Sequence, residues 1–227
     1  MNRTVSEMVT PRAEDSLNEL LKAKGDVPRY QEAMITLGQE LGRHISSQLS
    51  QTSSVCLVFT VEDADFLARG LLKSISEVVD ADNIHVVCFW NKREQLGGVS
   101  VAPIIRRYIE PFDKVDAVIV LKSIISSSCV VRTNLMEILS KAEPERVFVA
   151  APVMFAGSTE MLEREFSADV AAKFEYVYFA QDEERDPSTN IVNPGIGGNV
   201  YELLGFANQE VKNRYTPRLI GERQLRL

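Results

Sequence analysis

Uninterrupted apolar runs alternate with amphipathic segments along most of the chain. The apolar runs have the length and composition of β-strands, and they lie at 54–60, 83–90, 116–121, 146–155 and 174–180. Segments with a helical spacing of apolar residues separate them, at 63–79, 131–142 and 158–166. Because the runs lack polar alternation, both faces of each strand are expected to be covered. The pattern predicts an α/β fold, a parallel twisted sheet flanked by helices on both faces.

The N-terminal region departs from this alternation. Residues 1–27 are polar and are interrupted by Pro11 and Gly25, which predicts an N-terminal helical arm with one short helix near 16–23. The remaining residues, 28–227, are interpreted as a single domain.

Two boundaries of this domain carry local signals. Asp26 followed by Pro28 predicts a helix start, because an aspartate caps the first turn and a proline is tolerated within it. The helix should extend over 30–49, where apolar residues recur every three or four positions. The segment 100–105 is predicted as an edge strand, because Pro103 cannot donate a hydrogen bond to a neighbouring strand.

The charge of the chain argues against a general role in binding nucleic acid. The 227 residues include 25 Lys and Arg against 32 Asp and Glu, a net charge of −7, whereas phosphate contacts need a basic surface. A local basic patch stays possible, built from Arg106, Arg107 and the tail at 214–226. An effector of DNA or RNA is therefore kept as a third hypothesis.

The cysteines and the hydropathy favour a cytoplasmic protein. Cys56, Cys88 and Cys129 do not have the spacing of a zinc site and are interpreted as reduced thiols. No apolar run reaches the roughly 18 residues that a membrane span requires. The N-terminus is too polar for a secretory signal. No metal site is predicted from these residues.

The chemistry is expected in the loops that follow the strands, because ligands of open parallel sheets bind beyond the carboxyl ends of the strands. In chain order these loops are TVEDADF (60–66), NKRE (91–94), KSIISSS (122–128), PVMFAGS (152–158) and QDEERDPSTNIVNPGIGGN (181–199).

Five short pieces around these loops resemble, in the same order, the uracil phosphoribosyltransferases, which have the type I phosphoribosyltransferase fold. The pieces are VFTVEDADFLARGLL (58–72), NKRE (91–94), VLKSIISSSCV (120–130), VAAPVMFAGS (149–158) and NIVNPGIGGNVY (190–201). The resemblance covers about residues 28–210. It implies a glycosyltransferase of nucleotide metabolism with a nucleotide ligand, usually a homodimer. It implies Mg²⁺ only if phosphoribosyl pyrophosphate is bound, and no other cofactor.

The phosphate and sugar loops of this chain depart from the family in charge. Lys122 stands where the family has its first acid, and Ser127, Ser128 and Cys129 replace its Thr-Gly-Gly. Side chains at glycine positions hinder close approach of a phosphate to the backbone. The pyrophosphate turn carries acids, at 62, 63 and 65, which repel one another by about 1–4 kcal/mol. These departures predict a degenerate transferase, a pseudoenzyme.

The closing loop keeps Pro194, Gly195 and Gly197 but lacks the two acids of the family. Three glycines within four residues favour close backbone approach by a ligand or by a neighbouring segment. The candidate ligand-binding residues are Lys122, Ser126, Ser127, Ser128, Cys129, Pro194, Gly195, Ile196 and Gly197.

Alternatives stay open for several of these residues. The serines at 126–128 either bind a phosphate ahead of a helix or cap that helix. Glu62, Asp63 and Asp65 either hold a metal or a cationic partner, or stabilise the first turn of a helix. The acidic run at 181–190 either presents Asp182 or Glu183 to a ligand or is a solvated surface. Cys129 has no predicted histidine partner that would make it a nucleophile.

Two main functions follow. The first is a catalytically degenerate protein that binds a nucleotide or a protein as a regulatory or accessory subunit, a role that members of this fold have in bacterial stress and anti-phage systems. The alternative is an active transferase of the uracil type, or a nucleotide N-glycosidase acting at the ribose C1 carbon, with Glu62, Asp63 and Asp182 as catalytic residues. A homodimer or a larger assembly is expected, through apolar surface on the helix at 30–49.

Overall fold

The computed structural model describes residues 2–97 and 99–225 of the chain. Its strands are β1 (Arg3–Val5), β2 (Val55–Thr60), β3 (Ile84–Asn91), β4 (Glu94–Leu96), β5 (Val99–Val101), β6 (Ile104–Ile109), β7 (Ala117–Leu121), β8 (Ile124–Ile125), β9 (Arg146–Phe155), β10 (Phe174–Asp182), β11 (Glu184–Arg185) and β12 (Val192–Asn193). Its α-helices are α1 (Pro11–Lys22), α2 (Val27–Ser46), α3 (Arg69–Ile75), α4 (Cys129–Leu139), α5 (Ser158–Glu163), α6 (Ala168–Ala171), α7 (Val200–Leu203), α8 (Gln209–Arg214) and α9 (Arg218–Gln224). A π-helix (Ala64–Ala68) and a 3₁₀-helix (Ala81–Asn83) complete the elements.

The main sheet has the order β1-β10-β9-β7-β2-β3-β6, with β8 beside β9. The central strands β3, β2, β7, β9 and β10 are parallel, which confirms the predicted α/β fold. Both edges are antiparallel, through β1 and β6, so the sheet is mixed rather than wholly parallel. The edge predicted at 100–105 lies instead at Ile104–Ile109, after a separate β4–β5 hairpin.

The N-terminal arm is part of the domain structure. Strand β1 pairs with β10, and the guanidinium of Arg3 makes two hydrogen bonds to the carboxylate of Asp182. Helix α1 begins at Pro11, five positions before the predicted helix, because Pro11 occupies the first turn and Thr10 caps it by accepting from the amide of Ala13. The proline therefore starts a helix here and does not interrupt one.

Helix α2 starts as predicted. The carboxylate of Asp26 accepts from the amide of Arg29. The helix ends at Ser46, three positions before the predicted end, and Leu49 lies beyond it and is partly buried. The other apolar residues of the predicted face are buried within the chain: Tyr30, Met34, Leu37, Leu41 and Ile45. They pack with α1 and α3, so this face is covered from within the chain and does not supply the exposed dimer surface that the sequence led us to expect.

Two buried clusters cover the two faces of the sheet. One contains residues of α1, α2, α3 and α9, and the other contains residues of α4 and Leu162 of α5. The predicted helix at 63–79 is shorter, a π-helix followed by α3 that ends at Ile75. The helices α7 to α9 were not predicted. In the described part of the chain, no helix is long and apolar enough to cross a membrane.

Candidate functional site

A cavity of about 800 Å³ lies at the carboxyl ends of the parallel strands. The chain runs from β2 to β3 on one side and continues with β7, β9 and β10 on the other. The order of the strands therefore reverses between β2 and β7, and the loops after these two strands diverge. Ligands of open α/β sheets bind at such a point, and the volume is in the range of small-molecule sites.

The floor of the cavity carries a buried ion-pair cluster. The ammonium of Lys122, after β7, lies 2.7 Å from Oδ2 of Asp63 and 3.0 Å from Oε1 of Glu62, both after β2. Thr60 donates to the same Asp63 oxygen at 2.7 Å. Each of the three charged side chains is at most 4% exposed. Lys122 and Glu62 also line the cavity.

A second buried lysine completes the cluster. Lys212 of α8 lies with its ammonium 3.6 Å from Oε2 of Glu62 and donates to the carbonyl of Asn91 at 2.8 Å. The ammonium also lies 5.0 Å from the centre of the Tyr201 ring. Two lysines therefore neutralise the two acids on the floor.

This arrangement fixes the charge states of the cluster. Burial alone would raise the pKa of Glu62, but the ammonium groups of Lys122 and Lys212 outweigh it and lower that pKa below its usual range. Burial would lower the pKa of Lys122, and the carboxylates of Asp63 and Glu62 raise it instead. For Lys212 burial dominates, and its pKa is lowered. Glu62 and Lys122 are thus charged at neutral pH.

These carboxylates do not fit a magnesium site. Mg²⁺ takes oxygen ligands, usually one or two carboxylates together with substrate phosphates. Lys122 binds one oxygen of each carboxylate, Oε1 of Glu62 and Oδ2 of Asp63, and its positive charge would repel a cation. The second oxygens, Oε2 of Glu62 and Oδ1 of Asp63, are buried without a hydrogen-bond partner. No group of three or more potential metal-ligating side chains is found among the described residues. Glu62 and Asp63 are thus paired with a lysine of the same chain, which the sequence reasoning did not consider.

Asp65, the third acid of the same loop, has a different role. Its carboxylate accepts from the backbone amides of Arg218 at 3.0 Å and Leu219 at 2.8 Å, and from the hydroxyl of Tyr215. Asp65 is buried. It therefore holds the start of α9, in the C-terminal part of the chain, against the loop after β2.

Ser126, Ser127 and Ser128 line the cavity just ahead of α4. Ser128 precedes the helix, but its side chain does not cap it. Within the described residues, the hydroxyls of all three serines make no hydrogen bond. Capping is therefore not the role of Ser128, and the three serines line the cavity beside the amino end of an 11-residue helix.

Two arginines complete the basic wall of the cavity. Arg185 of β11 stacks on Phe155, with 3.8 Å from its guanidinium carbon to the ring centre, and it donates to the carbonyl of Ser126 and to Oδ1 of Asn190. Its buried Nε has no hydrogen-bond partner. Arg93 follows β3. Neither arginine forms a salt bridge with any residue that the structure describes.

Other lining residues are Ile124 and residues 189–191 and 198–202, among which Glu202 is the charged one. Asn190 has a φ of 59°, a conformation uncommon outside glycine, and its side chain accepts from Arg185. The sequence reasoning missed Arg185, Arg93 and Lys212. Arg185 and Arg93 stand in the loops identified as candidate sites, but Lys212 gives no local signal.

Four predicted ligand-binding residues, Pro194, Gly195, Ile196 and Gly197, do not line the cavity. The loop packs against the N-terminal elements: the carbonyl of Gly195 accepts from Arg3 and that of Ile196 accepts from Tyr30. A Cβ on Gly197 would lie 2.8 Å from the carbonyl oxygen of Leu20. The close approach that the glycines predicted is therefore made by a neighbouring segment.

Asp182 and Cys129 are also separated from the acid cluster. Asp182 is fully buried and binds Arg3 and the amide of Gly195 at 2.8 Å, so it fixes β1 and does not reach the cavity. Cys129 does line the cavity, but its thiol donates to the carbonyl of Ser100 at 3.2 Å. Burial raises the pKa of Cys129, which leaves the thiol protonated.

The basic residues proposed for a nucleic-acid patch are largely engaged within the chain. Arg106 stacks on Trp90, and Arg107 pairs with Glu137 at 2.6 Å. Arg223 of the tail binds the buried carboxylate of Glu110. Arg226, the last arginine of the predicted tail patch, lies outside the described residues.

Comparison with known proteins shows the fold of the chain. No family model matches the sequence, and no curated protein matches it. The AQ2163 protein from Aquifex aeolicus is similar in structure, with a TM-score of 0.69, 15% identity, and coverage of 90% of this chain and 99% of that chain. The two proteins thus share an architecture over nearly their whole length.

Phosphoribosyltransferases are among the more distant matches. A hypoxanthine phosphoribosyltransferase from Staphylococcus aureus has a TM-score of 0.42 and 12% identity, covering 65% of this chain and 74% of that chain. A hypothetical protein from Neisseria gonorrhoeae, solved with bound ppGpp, has a TM-score of 0.41 and 14% identity, covering 67% and 80%. Both are too distant in geometry to bear on function.

Proposed function

We propose that this chain is a phosphoribosyltransferase-like protein that binds a phosphate-bearing ligand of the nucleotide class and does not catalyse phosphoribosyl transfer. The observation that carries the proposal is the Lys122 ammonium, in contact with both Glu62 and Asp63 at the floor of the cavity. Phosphoribosyl transfer requires a carboxylate free to stabilise a cation-like ribose carbon. Here the two carboxylates on the cavity floor, those of Glu62 and Asp63, are already neutralised by Lys122.

The basic wall supports the binding part of the proposal. Arg185 is held in place by Phe155 and by two hydrogen bonds, so little side-chain entropy is lost when it binds an anion. Arg93 and the serines at 126–128 lie on the same cavity. The amino end of α4 adds a favourable potential for negative charge.

The same contacts disfavour the alternative, an N-glycosidase or an active uracil-type transferase. Each of its three proposed carboxylates has a cationic partner inside the chain: Lys122 for Glu62 and Asp63, and Arg3 for Asp182. Asp182 also lies away from the cavity. In our proposal the chain acts as a regulatory or accessory subunit of the kind used in bacterial stress or anti-phage systems, as a homodimer or in a larger assembly.

Calorimetry combined with product analysis tests this function. The protein is titrated with phosphoribosyl pyrophosphate, UMP and inorganic pyrophosphate, with and without Mg²⁺, and each mixture is analysed by mass spectrometry for free base and for transfer products. We expect binding that does not require Mg²⁺ and no product. Failure of every one of these anions to bind at millimolar concentration would contradict the proposal.

A matched pair of variants locates the site. Arg185→Met should weaken binding about 10- to 100-fold, the equivalent of a lost charge-assisted hydrogen bond of about 1.5–3 kcal/mol. Arg107→Met removes an arginine that is exposed on the edge strand β6 and paired with Glu137, and should leave binding unchanged. Equal losses in both variants would exclude this cavity as the site.

A further inference from the structure

Helix α8 is attached to the domain by a charged side chain. Of its six residues, Gln209–Arg214, Lys212 is the buried one, with a side chain 1% exposed. Its ammonium donates to the carbonyl of Asn91 and lies 3.6 Å from Oε2 of Glu62. A helix is usually docked by apolar side chains, whose burial does not depend on neighbouring charges. Gln209, at the start of α8, accepts from the backbone amide of Arg93 at 2.8 Å, and Lys212 is the charged link between α8 and Glu62.

The next helix is held by the same loop. Asp65 accepts the two amides at the start of α9 and the hydroxyl of Tyr215. The backbone carbonyl of Tyr215 in turn accepts from the indole of Trp90 at 2.8 Å. The C-terminal segment, residues 209–224, is thus connected to the acidic loop at two points, Glu62 and Asp65.

Glu62 connects this segment to the cavity. Its Oε1 contacts Lys122, which lines the cavity with it, and its Oε2 faces Lys212 and has no hydrogen-bond partner. An anion in the cavity attracts the Lys122 ammonium and so weakens the attraction between Lys122 and the Glu62 carboxylate. The Glu62 carboxylate is then stabilised to a larger extent by the Lys212 ammonium. Both this effect and the direct attraction between the anion and Lys212 favour the docked position of α8.

We propose that occupancy of the cavity by a phosphate-bearing ligand is coupled through Glu62 to docking of the C-terminal segment, so that each stabilises the other. The inference rests on the proposed function, because it requires the anion site. Coupling of this kind is reciprocal: the factor by which the ligand favours docking equals the factor by which docking favours the ligand.

Hydrogen–deuterium exchange on the full chain tests the coupling, with inorganic pyrophosphate as the probe. In the unmodified protein we expect pyrophosphate to slow amide exchange in 209–219 and to change the emission of Trp90, the one tryptophan of the chain. Lys212→Met should speed exchange in that segment and weaken pyrophosphate binding about 5-fold or more. Lys173→Met, which removes a half-buried lysine bound to the carbonyl of Pro144, should change neither.

Glu62→Gln separates the coupling from binding itself. It removes the charge that joins Lys122 to Lys212, so at a pyrophosphate concentration that saturates the variant, the slowing of exchange in 209–219 should be smaller than in the unmodified protein. Binding in the unmodified protein with unchanged exchange there would refute the coupling and leave the proposed function standing. Absence of pyrophosphate binding would overturn the coupling, and the proposed function with it if phosphoribosyl pyrophosphate and UMP also fail to bind. The exchange measurement on the unmodified protein decides the matter even if Lys212→Met does not fold.

Discussion

Replacing Lys122 with methionine removes the cation at the centre of the buried cluster while keeping a side chain of similar length. The carboxylates of Glu62 and Asp63 then stay buried, at 3% and 1% exposure, with Lys212 as the remaining cation within reach of Glu62. Removing one partner of a buried ion pair costs about 3–5 kcal/mol, because the other charge is left uncompensated. We expect a loss of that size in the free energy of unfolding.

Urea denaturation measures this loss, with thermal melting as a second readout. For a chain of this length about 2–4 °C of melting temperature is lost per kcal/mol, so Lys122→Met should melt about 6–20 °C lower. Lys141→Met is the matched control. Lys141 also lies 2.7 Å from a carboxylate, that of Glu137, but its side chain is 42% exposed, and its loss should cost at most about 1 kcal/mol.

Two results bear on the reasoning behind this prediction. The triple variant Glu62→Gln, Asp63→Asn, Lys122→Met should recover part of the stability, because it removes the uncompensated charges together with the lysine. A loss in Lys122→Met no larger than that in Lys141→Met would show that the acids do not depend on Lys122. The charge account of the cavity floor would then be wrong.

Three further predictions follow from single contacts. Folding lowers the pKa of Glu62 from 4.5 to about 2, so the charged form of Glu62 stabilises the fold above pH 4.5, and this stability is lost as the pH falls toward 2. In an acid titration followed by circular dichroism, Glu62→Gln should therefore lose folded structure less steeply between pH 4.5 and 2 than the unmodified protein. Identical titration profiles would contradict this assignment. Gly197→Ala should lower the free energy of unfolding by about 1–3 kcal/mol, because φ is +91° and the new Cβ would meet the carbonyl of Leu20. Gly25→Ala, at φ +84° with open space around it, should lower it by less. Equal losses of stability in urea would show that the contact with Leu20 is unimportant. Asp182→Asn should lower the free energy of unfolding by about 1.5–3 kcal/mol and speed amide exchange in strand β1, Arg3–Val5, because Arg3 loses a charged partner. Unchanged exchange would show that β1 is held without the Arg3–Asp182 contact.

The central strands could be predicted from the sequence because strands that are buried on both faces consist almost entirely of apolar residues. Runs such as 116–121 are apolar throughout, and β7 lies within that run, at Ala117–Leu121. The edge strand was predicted at 100–105, whereas β6 lies at Ile104–Ile109. The sequence of β6 mixes apolar residues with two arginines, and half of its residues are exposed, so it lacks the apolar signature of the central strands. The position of a strand at the edge is decided by pairing with β3, which local composition does not encode.

The C-terminal helices were missed for a related reason. Helices α7, α8 and α9 are four, six and seven residues long, too short to be stable alone. Helices α8 and α9 are held by Glu62 and Asp65, about 150 positions earlier in the chain. The spacing of apolar residues within the C-terminal segment cannot indicate contacts with residues so distant in the sequence.

The candidate site was predicted in its location but not in its electrostatics. The loops after β2, β7 and β10 do meet at one cavity, as the rule for parallel sheets requires. The acids at 62 and 63 were expected to repel one another. In the structure, the Lys122 ammonium lies within 3.0 Å of both carboxylates. The sequence analysis noted Lys122 because it replaces an acid of the family, and did not predict that it pairs with acids of this chain. Such a pairing joins two strands that are neighbours only in the folded sheet.

The most direct test of the central claim is to incubate the protein with phosphoribosyl pyrophosphate, Mg²⁺ and uracil and to follow the mixture by mass spectrometry, with calorimetry on the same sample. Heat of binding should be observed, binding should be about 10- to 100-fold weaker in Arg185→Met, and neither UMP nor pyrophosphate should form. Catalytic formation of UMP by the unmodified protein would contradict this claim, because the cluster around Lys122 would then be compatible with transfer.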